Sequence, residues 1–309
     1  MPDRPLVQHS KYYIAYRKLR YLAHRGTLFS LPQYDRNLHP DFPKGTFSII
    51  SVNSFFMFLL AYLIIYTLHL FITAGTALLF DIPVVIYYKD VDFLIRGIDW
   101  TTDMVTGVFS AGPISMVVLS LLLLILYIAV ATETGILRLL VLWMIFHSLT
   151  RFFGELLVGA VMGKGFGYVF LYMFVLDTSK VVLSILVFVA MFTIGLLVFQ
   201  LFLYSSNIYF NDLRKSYRLQ FILSQFFIPF FLGNIIILLI KIPSFSYFDA
   251  TLNITGILIL IPLLVRSVGF QDMYFDEEPR VIKMRMSMIV VTIVSLVLFR
   301  VIFGIGVRL

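Results

Sequence analysis

Long apolar runs alternate with short polar segments from residue 48 to the end of the chain. A helix needs about 20 apolar residues to cross the hydrocarbon core of a bilayer. The pattern therefore predicts an all-α polytopic membrane protein with about seven transmembrane helices, six or eight being the nearest alternatives. The first run continues to Phe80, so the first helix either tilts or ends in a segment at the membrane surface. The expected spans are 48–70, 108–131, 136–162, 181–204, 221–240, 252–269 and 286–307.

Composition agrees with a membrane protein, because 60% of the residues are hydrophobic and only 13% are charged. Soluble domains carry about 25% charged residues. The chain has no cysteine, which excludes disulfides, thiolate catalysis and cysteine metal sites. The sequence gives no indication of a cofactor.

Basic residues concentrate at the amino terminus, where eight of the 24 lysines and arginines precede residue 47. Their position and the net charge of +7 favour contact with an anionic membrane surface over nucleic acid. Segment 1–46 is predicted to be cytoplasmic, with a basic and aromatic interfacial helix at 8–25 or, alternatively, a disordered tail. Residues 47–309 are predicted to form one transmembrane domain.

The distribution of lysine and arginine predicts the orientation, since cytoplasmic loops are enriched in both. With the amino terminus inside, the inner segments hold fifteen of these residues and the outer segments hold six. We therefore expect a cytoplasmic amino terminus and an extracytoplasmic carboxyl terminus, in a membrane that we expect to be the bacterial cytoplasmic (inner) membrane.

Two segments between the spans differ from ordinary polar loops in their sequence pattern. Residues 81–107 contain two clusters of β-branched and aromatic residues around Lys89 and Asp90, a pattern that predicts a small extracytoplasmic hairpin. The aspartates of this segment lack the spacing and central glycine of a calcium loop, so no metal site is predicted. Residues 165–175 are apolar but too short to span the membrane.

The most informative feature is a polar stripe within the third span. His147, Arg151 and Glu155 follow each other at i, i+4 and i+8, and they therefore share one face of the helix. A charge at the bilayer centre costs roughly 2.5–3.5 kcal/mol, and such residues normally face the protein interior. The stripe is either a structural ion pair, with His147 bonded to a carbonyl, or part of a polar cavity or proton path.

Further residues are candidates for contact with this polar cluster. His69 and Thr73 lie one turn apart in the first span, and Arg300 lies deep in the last one. Arg300 needs a carboxylate or carbonyl partner, and Glu155 is one candidate. Small residues of the third span predict close helix packing. These helix-packing glycines are Gly154, Gly159 and Gly163.

One arrangement resembles a known family. His69 lies near the end of a span, a strand-like segment follows, and Ala111-Gly112-Pro113 opens the next span. Over residues 62–127 this order is similar to that of site-2-protease-like intramembrane metalloproteases, which carry H-E-x-x-H on the first of these helices. Here Leu70 and Thr73 replace the glutamate and the second histidine, and no Asn-Pro-Asp-Gly motif follows. The resemblance therefore implies a relative that does not use zinc.

The absence of a catalytic constellation favours a function without catalysis. The leading hypothesis is an integral subunit or scaffold of a cytoplasmic-membrane complex, whose partners are lipid and other membrane-protein subunits. The alternative is a small-solute, lipid or proton-coupled transporter that uses His147, Arg151 and Glu155, although no internal repeat is obvious. The second alternative is a catalytically degenerate protein of the intramembrane-protease type.

Overall fold

The fold was described from a computed structural model, which covers residues 45–129, 135–244, 246–275 and 282–309. The interfacial helix predicted at 8–25 lies outside the described residues. The described helices and strands are α1 (Thr46–Leu78), β1 (Val84–Ile86), β2 (Val91–Phe93), α2 (Thr102–Ala129), α3 (Gly135–Met162), α4 (Gly167–Tyr172), α5 (Asp177–Tyr204), β3 (Asp212–Leu213), α6 (Lys215–Ile222), α7 (Ile228–Ile240), α8 (Tyr247–Ile254), α9 (Ile257–Val268), β4 (Met273–Tyr274), α10 (Met286–Ile305) and β5 (Val307–Arg308). A π-helical turn, Leu223–Phe227, joins α6 to α7.

Within the described residues, seven helical segments are long and apolar enough to cross a membrane. The predicted all-α polytopic class is therefore confirmed. The first apolar run forms one continuous helix of 33 residues. At about 1.5 Å per residue it is roughly 50 Å long, which exceeds the hydrocarbon thickness of a bilayer, about 30 Å.

The helices divide into central and peripheral ones. In their most apolar windows, α1 is 61% buried and α3 is 67% buried, whereas α5 and α10 are each 17% buried. A helix that is apolar on every side and buries little of its surface against its neighbours is suited to direct contact with lipid. The bundle is therefore built around α1 and α3, the two helices that carry most of the polar residues discussed below.

A small sheet marks one end of the bundle, which we call the hairpin side. Strands β1 and β2 pair antiparallel, with Val85 opposite Asp92. The carboxyl-terminal strand β5 adds to the other edge of β1, where Arg308 lies opposite Val85. The chain therefore finishes on the hairpin side, at the end of the bundle opposite Gly45.

The opposite end of the bundle is secured by one arginine. Arg218 of α6 donates hydrogen bonds to the carbonyl oxygens of Ser267 at 3.1 Å, Gln271 at 2.8 Å and Phe270. These carbonyls lie in the last turn of α9 and just after it, where a helix leaves its last C=O groups without partners. A cation at this position also interacts favourably with the helix dipole. Arg218 thereby fixes α9 against α6.

The predicted orientation is testable with two matched glycines. Gly97 on the hairpin side and Gly269 at the opposite end are both exposed, and an added side chain meets open space at each. The natural chain has no cysteine, so a single introduced cysteine is the only thiol that reacts. If the amino terminus is cytoplasmic, a membrane-impermeant maleimide added to intact cells labels Gly97→Cys, and Gly269→Cys only after permeabilisation. The reverse pattern would contradict the predicted orientation.

Candidate functional site

The structure divides the polar stripe of α3 between two environments. His147 faces α1, and its Nε2 lies 3.2 Å from the carbonyl oxygen of Phe58. Aromatic rings surround the imidazole, the Phe58 ring at a centroid distance of 4.4 Å and the Tyr62 ring at 5.6 Å. We call His147 and its neighbours the aromatic plug, because they fill the middle of the bundle. The plug consists of Phe58, Tyr62, Trp143, Phe146, His147 and Phe230.

Arg151 and Glu155 belong to a separate cluster of charged residues. Arg151 Nε lies 3.0 Å from Glu155 Oε1, one helical turn away. Arg151 Nη1 also donates a hydrogen bond at 3.1 Å to Oδ1 of Asp249, in the first turn of α8. The guanidinium therefore joins two carboxylates from two different helices, an arrangement that suits its fixed fork of donors.

Lys241 completes the set of charges from the end of α7. Its Nζ donates a hydrogen bond at 2.8 Å to Asp249 Oδ2. Burial alone would lower the pKa of Lys241, but the Asp249 carboxylate holds it above its ordinary value, so the ammonium stays charged. Ser246 caps α8 by accepting the Asp249 N–H at 3.5 Å, which places the carboxylate at the helix amino terminus.

His69 approaches the cluster from α1. Its Nε2 lies 2.9 Å from Glu155 Oε1, a close contact that is not aligned as a hydrogen bond. We name the five residues the ion cluster: His69, Arg151, Glu155, Lys241 and Asp249. All five are buried. The two cations Arg151 and Lys241 and the two carboxylates Glu155 and Asp249 balance one another, as charges removed from water require.

Tyr66 connects the ion cluster to the hairpin. Lys241 Nζ lies 4.0 Å above the centre of its ring, and the Arg151 guanidinium carbon lies 5.1 Å from it. Both are cation–π distances. The Tyr66 hydroxyl donates to the carbonyl oxygen of Lys89 at 2.5 Å, and the ring stacks on Tyr62 of the plug. The Tyr66 side chain thus contacts the ion cluster, the plug and the hairpin at once.

A cavity of about 680 Å³ lies over the ion cluster on the hairpin side. This volume is within the range of roughly 300–1,000 Å³ that is usual for small-molecule sites. Arg151, Glu155 and Asp249 are at its floor, and Lys89, Asp90, Asp92 and Lys164 line it nearer the rim. Aromatic residues form a wall: Phe93, Trp100, Phe109 and Tyr168.

Two buried polar atoms in the cavity lining have no partner among the described residues. They are Nδ1 of His69 and Oγ1 of Thr73, in side chains whose residues are only 7% and 9% exposed. Such atoms normally have a hydrogen-bond partner. Gly112 of α2 packs tightly against the same two residues. A Cβ at this position would lie 2.5 Å from His69 Nε2 and 2.6 Å from Thr73 Oγ1.

Among the titratable groups at the rim, Asp90 has a raised pKa. Partial burial raises the pKa of its carboxyl above the ordinary value, and Lys89 at 3.7 Å offsets only part of this effect. The carboxyl therefore takes up a proton at a higher pH than an aspartate of ordinary pKa does.

The three candidate packing glycines have three different surroundings. A Cβ at Gly154 would lie 2.8 Å from Thr255 Oγ1, so this glycine permits close contact with the α8–α9 segment. At Gly159 it would lie 2.8 Å from the backbone nitrogen of Gly167, which begins α4. Gly163 packs against nothing and has a φ of +64°, so it ends α3 in a left-handed conformation instead of packing helices.

Arg300 does not contact Glu155, the partner considered from the sequence. Its Nη2 donates to the carbonyl oxygen of Ile242 at 3.0 Å, and its guanidinium carbon lies 3.8 Å above the Tyr88 ring. Arg300 lies on α10, which packs mainly against α1, whereas Glu155 lies on α3. The carbonyl was the other kind of partner expected.

Sequence reasoning found three members of the ion cluster and missed Lys241 and Asp249. Both lie at the ends of spans, where charges usually reach water, and neither stands out in the hydropathy pattern. One signal was present in the sequence: the loop between them, IPSFSYF, is apolar and aromatic, which is unusual for a solvated connection.

Within the described residues, no group of three or more histidines, aspartates or glutamates is placed to hold a metal ion. Comparison with known proteins found no matching family model, no matching curated protein and no matching solved structure.

Removing the charge of Asp249 tests the ion cluster. Asp249→Asn leaves Arg151 and Lys241 facing a neutral amide, and loss of one partner of a buried pair costs about 3–5 kcal/mol. We expect a marked fall in the thermal unfolding midpoint of the detergent-purified protein. Asp177→Asn is the matched control, because Asp177 pairs with Lys180 in the exposed first turn of α5. Equal midpoints for the two variants would show that the buried contacts do not stabilise the bundle.

The close contact at Gly112 gives a second test. Gly112→Ala forces a methyl group against His69 and Thr73, and overpacking of this kind costs about 1–3 kcal/mol. Gly75→Ala, on α1, is the control because its Cβ meets no atom within 4 Å. We expect Gly112→Ala to lower the unfolding midpoint and Gly75→Ala to preserve or raise it. The same stability for both variants would rule out the tight α1–α2 contact.

Proposed function

We propose that the protein is a membrane transporter for a small solute, which binds in the cavity over the ion cluster and enters from the hairpin side. The observation that carries this proposal is the position of the cluster. Three of its charged residues, Arg151, Glu155 and Asp249, form the floor of an open cavity. Two groups in the cavity lining, His69 Nδ1 and Thr73 Oγ1, have no hydrogen-bond partner among the described residues.

Energetics support a functional role for these charges. A purely structural set of buried ion pairs is often no more stable than apolar residues of similar volume. Ionisable residues within membrane helices are rare, and they typically mark pathways of ions or substrates. The ion cluster places four such residues, His69, Arg151, Glu155 and Asp249, around one cavity. This arrangement favours solute passage over simple helix packing.

The aromatic plug suits the closed side of such a site. It is formed by α1, α3 and α7 between the cavity and the opposite end of the bundle, where Trp143 donates a hydrogen bond at 2.9 Å to Ser54 Oγ. The π-helical turn Leu223–Phe227 is next to it, and Phe226 contacts Trp143 at a ring distance of 5.8 Å. π-turns within helices occur frequently at functional sites. Rearrangement of this turn is the movement that would open the plug.

The scaffold hypothesis has weaker support. Its main observation is the exposed apolar surface of α5 and α10, which suits lipid as well as another subunit. The surface therefore does not distinguish a subunit from a solitary membrane protein.

A non-catalytic relative of site-2-protease-like proteins is the second candidate. It is favoured by the close packing of Gly112, from the Ala111-Gly112-Pro113 segment, against His69 and Thr73. The same segments carry the resemblance in sequence. In that case too, the cavity is a binding site without zinc chemistry.

Access from both sides of the membrane tests the transporter proposal. Single cysteines at Thr73, in the cavity lining, and at Ser54, beyond the plug, report on the two sides. We expect impermeant maleimide to label Thr73→Cys from the hairpin side only, and Ser54→Cys slowly and from the opposite side only. Thr76→Cys is the control, because Thr76 lies on the same helix outside the cavity lining. Labelling of Thr73→Cys with a permanently protected Ser54→Cys would contradict transport and favour a static binding protein.

A further inference from the structure

The charges of the cavity indicate which class of solute it accepts. From the ion cluster, one cation, Arg151, and two carboxylates, Glu155 and Asp249, line the cavity, and they are engaged with one another and with Lys241. Nearer the rim, Lys89 and Asp90 pair at 3.7 Å. Within the described residues, Lys164 and Asp92 line the cavity with no ion pair or hydrogen bond through their side chains. The cavity thus offers one free cation and one free carboxylate.

These two free charges come from different elements. Lys164 lies in the turn between α3 and α4, and Asp92 lies in strand β2 of the hairpin. Both residues are exposed at the rim and available to a solute. A solute with a single net charge would be attracted by one of these two side chains and repelled by the other. A solute that carries both charges satisfies both and adds no net charge to the site.

The walls between the charges are aromatic. Phe93 and Trp100 have ring centroids 5.5 Å apart, Trp100 and Phe109 are 5.6 Å apart, and Phe109 and Tyr168 are 4.9 Å apart. Such contacts form a continuous apolar surface, on which another ring packs favourably. Deeper in the cavity lining, the buried atoms His69 Nδ1 and Thr73 Oγ1 have no hydrogen-bond partner among the described residues.

We propose that the cavity binds a small zwitterion with an aromatic body, of the α-amino acid class. The carboxylate of the solute pairs with Lys164, its ammonium pairs with Asp92, and its ring lies against the wall at Trp100. This inference rests on the proposed function only in using the same cavity, and it concerns binding, whether or not the solute is then released on the other side.

The chain carries its own optical reporter. It has two tryptophans, of which Trp100 lines the cavity and Trp143 lies in the plug. In a Trp143→Phe background, which retains an aromatic ring in the plug, Trp100 is the only tryptophan that emits. Quenching or a spectral shift of Trp100 then measures occupancy of the cavity in nanodiscs that contain the full chain.

Three probes of similar shape test the charge requirement. They are L-phenylalanine, which is a zwitterion, phenethylamine, which is a cation, and 3-phenylpropanoate, which is an anion. We expect L-phenylalanine to bind most tightly, by roughly threefold to tenfold over either analogue, since one charge-assisted contact is lost in each.

Two variants assign the contacts. We expect Lys164→Gln to weaken L-phenylalanine and 3-phenylpropanoate but not phenethylamine. We expect Asp92→Asn to weaken L-phenylalanine and phenethylamine but not 3-phenylpropanoate. Lys180→Gln and Asp177→Asn are matched controls, because they neutralise an exposed ion pair that does not line the cavity. All four positions are polar sites outside the buried core, so the variants are expected to fold.

Several results would overturn the inference. They are tighter binding of either charged analogue, equal losses for all three probes in both variants, or no response of Trp100 to any probe. The outcome is independent of the cysteine labelling. Selective binding of the zwitterion with a permanently closed plug would support this inference and refute transport, whereas two-sided access without zwitterion binding would do the opposite.

Discussion

The need to neutralise charges that are withdrawn from water inside a membrane protein dominates this structure. Arg151, Glu155, Lys241 and Asp249 are each costly when buried singly, and each is tolerated because an opposite charge lies within about 3 Å. The pairs join α3 to the α7–α8 connection, and His69 and Tyr66 bring in α1. Helices far apart in sequence are thereby held in one relative position by electrostatics, in an environment where lipid provides no hydrophobic drive for association.

Much of the fold followed from hydropathy alone, because a transmembrane helix must satisfy its backbone internally and requires a long apolar run. The spans at 136–162 and 286–307 were predicted within a few residues of α3 and α10. The hairpin at β1 and β2 followed from its β-branched clusters. Hydropathy did not decide whether the first apolar run forms one long tilted helix or a shorter helix followed by a surface segment. Both conformations are equally apolar, and hydropathy does not indicate which of them packs better.

The site was only partly predictable. Helical periodicity placed Arg151 and Glu155 on one face, but it also grouped His147 with them, and packing assigns His147 to the aromatic plug. Lys241 and Asp249 depend on tertiary contacts across the turn that joins α7 to α8, which the sequence signals only through the apolar character of the loop between them. Gly163 shows the same limit: its spacing from Gly159 matched a packing motif, while its positive φ reveals a helix terminus.

The arrangement of cluster, cavity and plug along α1 and α3 gives one physical picture, in which a paired set of charges forms the base of a site reached from the hairpin side. An electron cryomicroscopy map of the full chain in nanodiscs, with ordered water resolved, tests this picture most directly. It should show Arg151 between Glu155 and Asp249 and water above them as far as the hairpin. A cluster that faces lipid, or one sealed by protein on every side with no water above it, would contradict it.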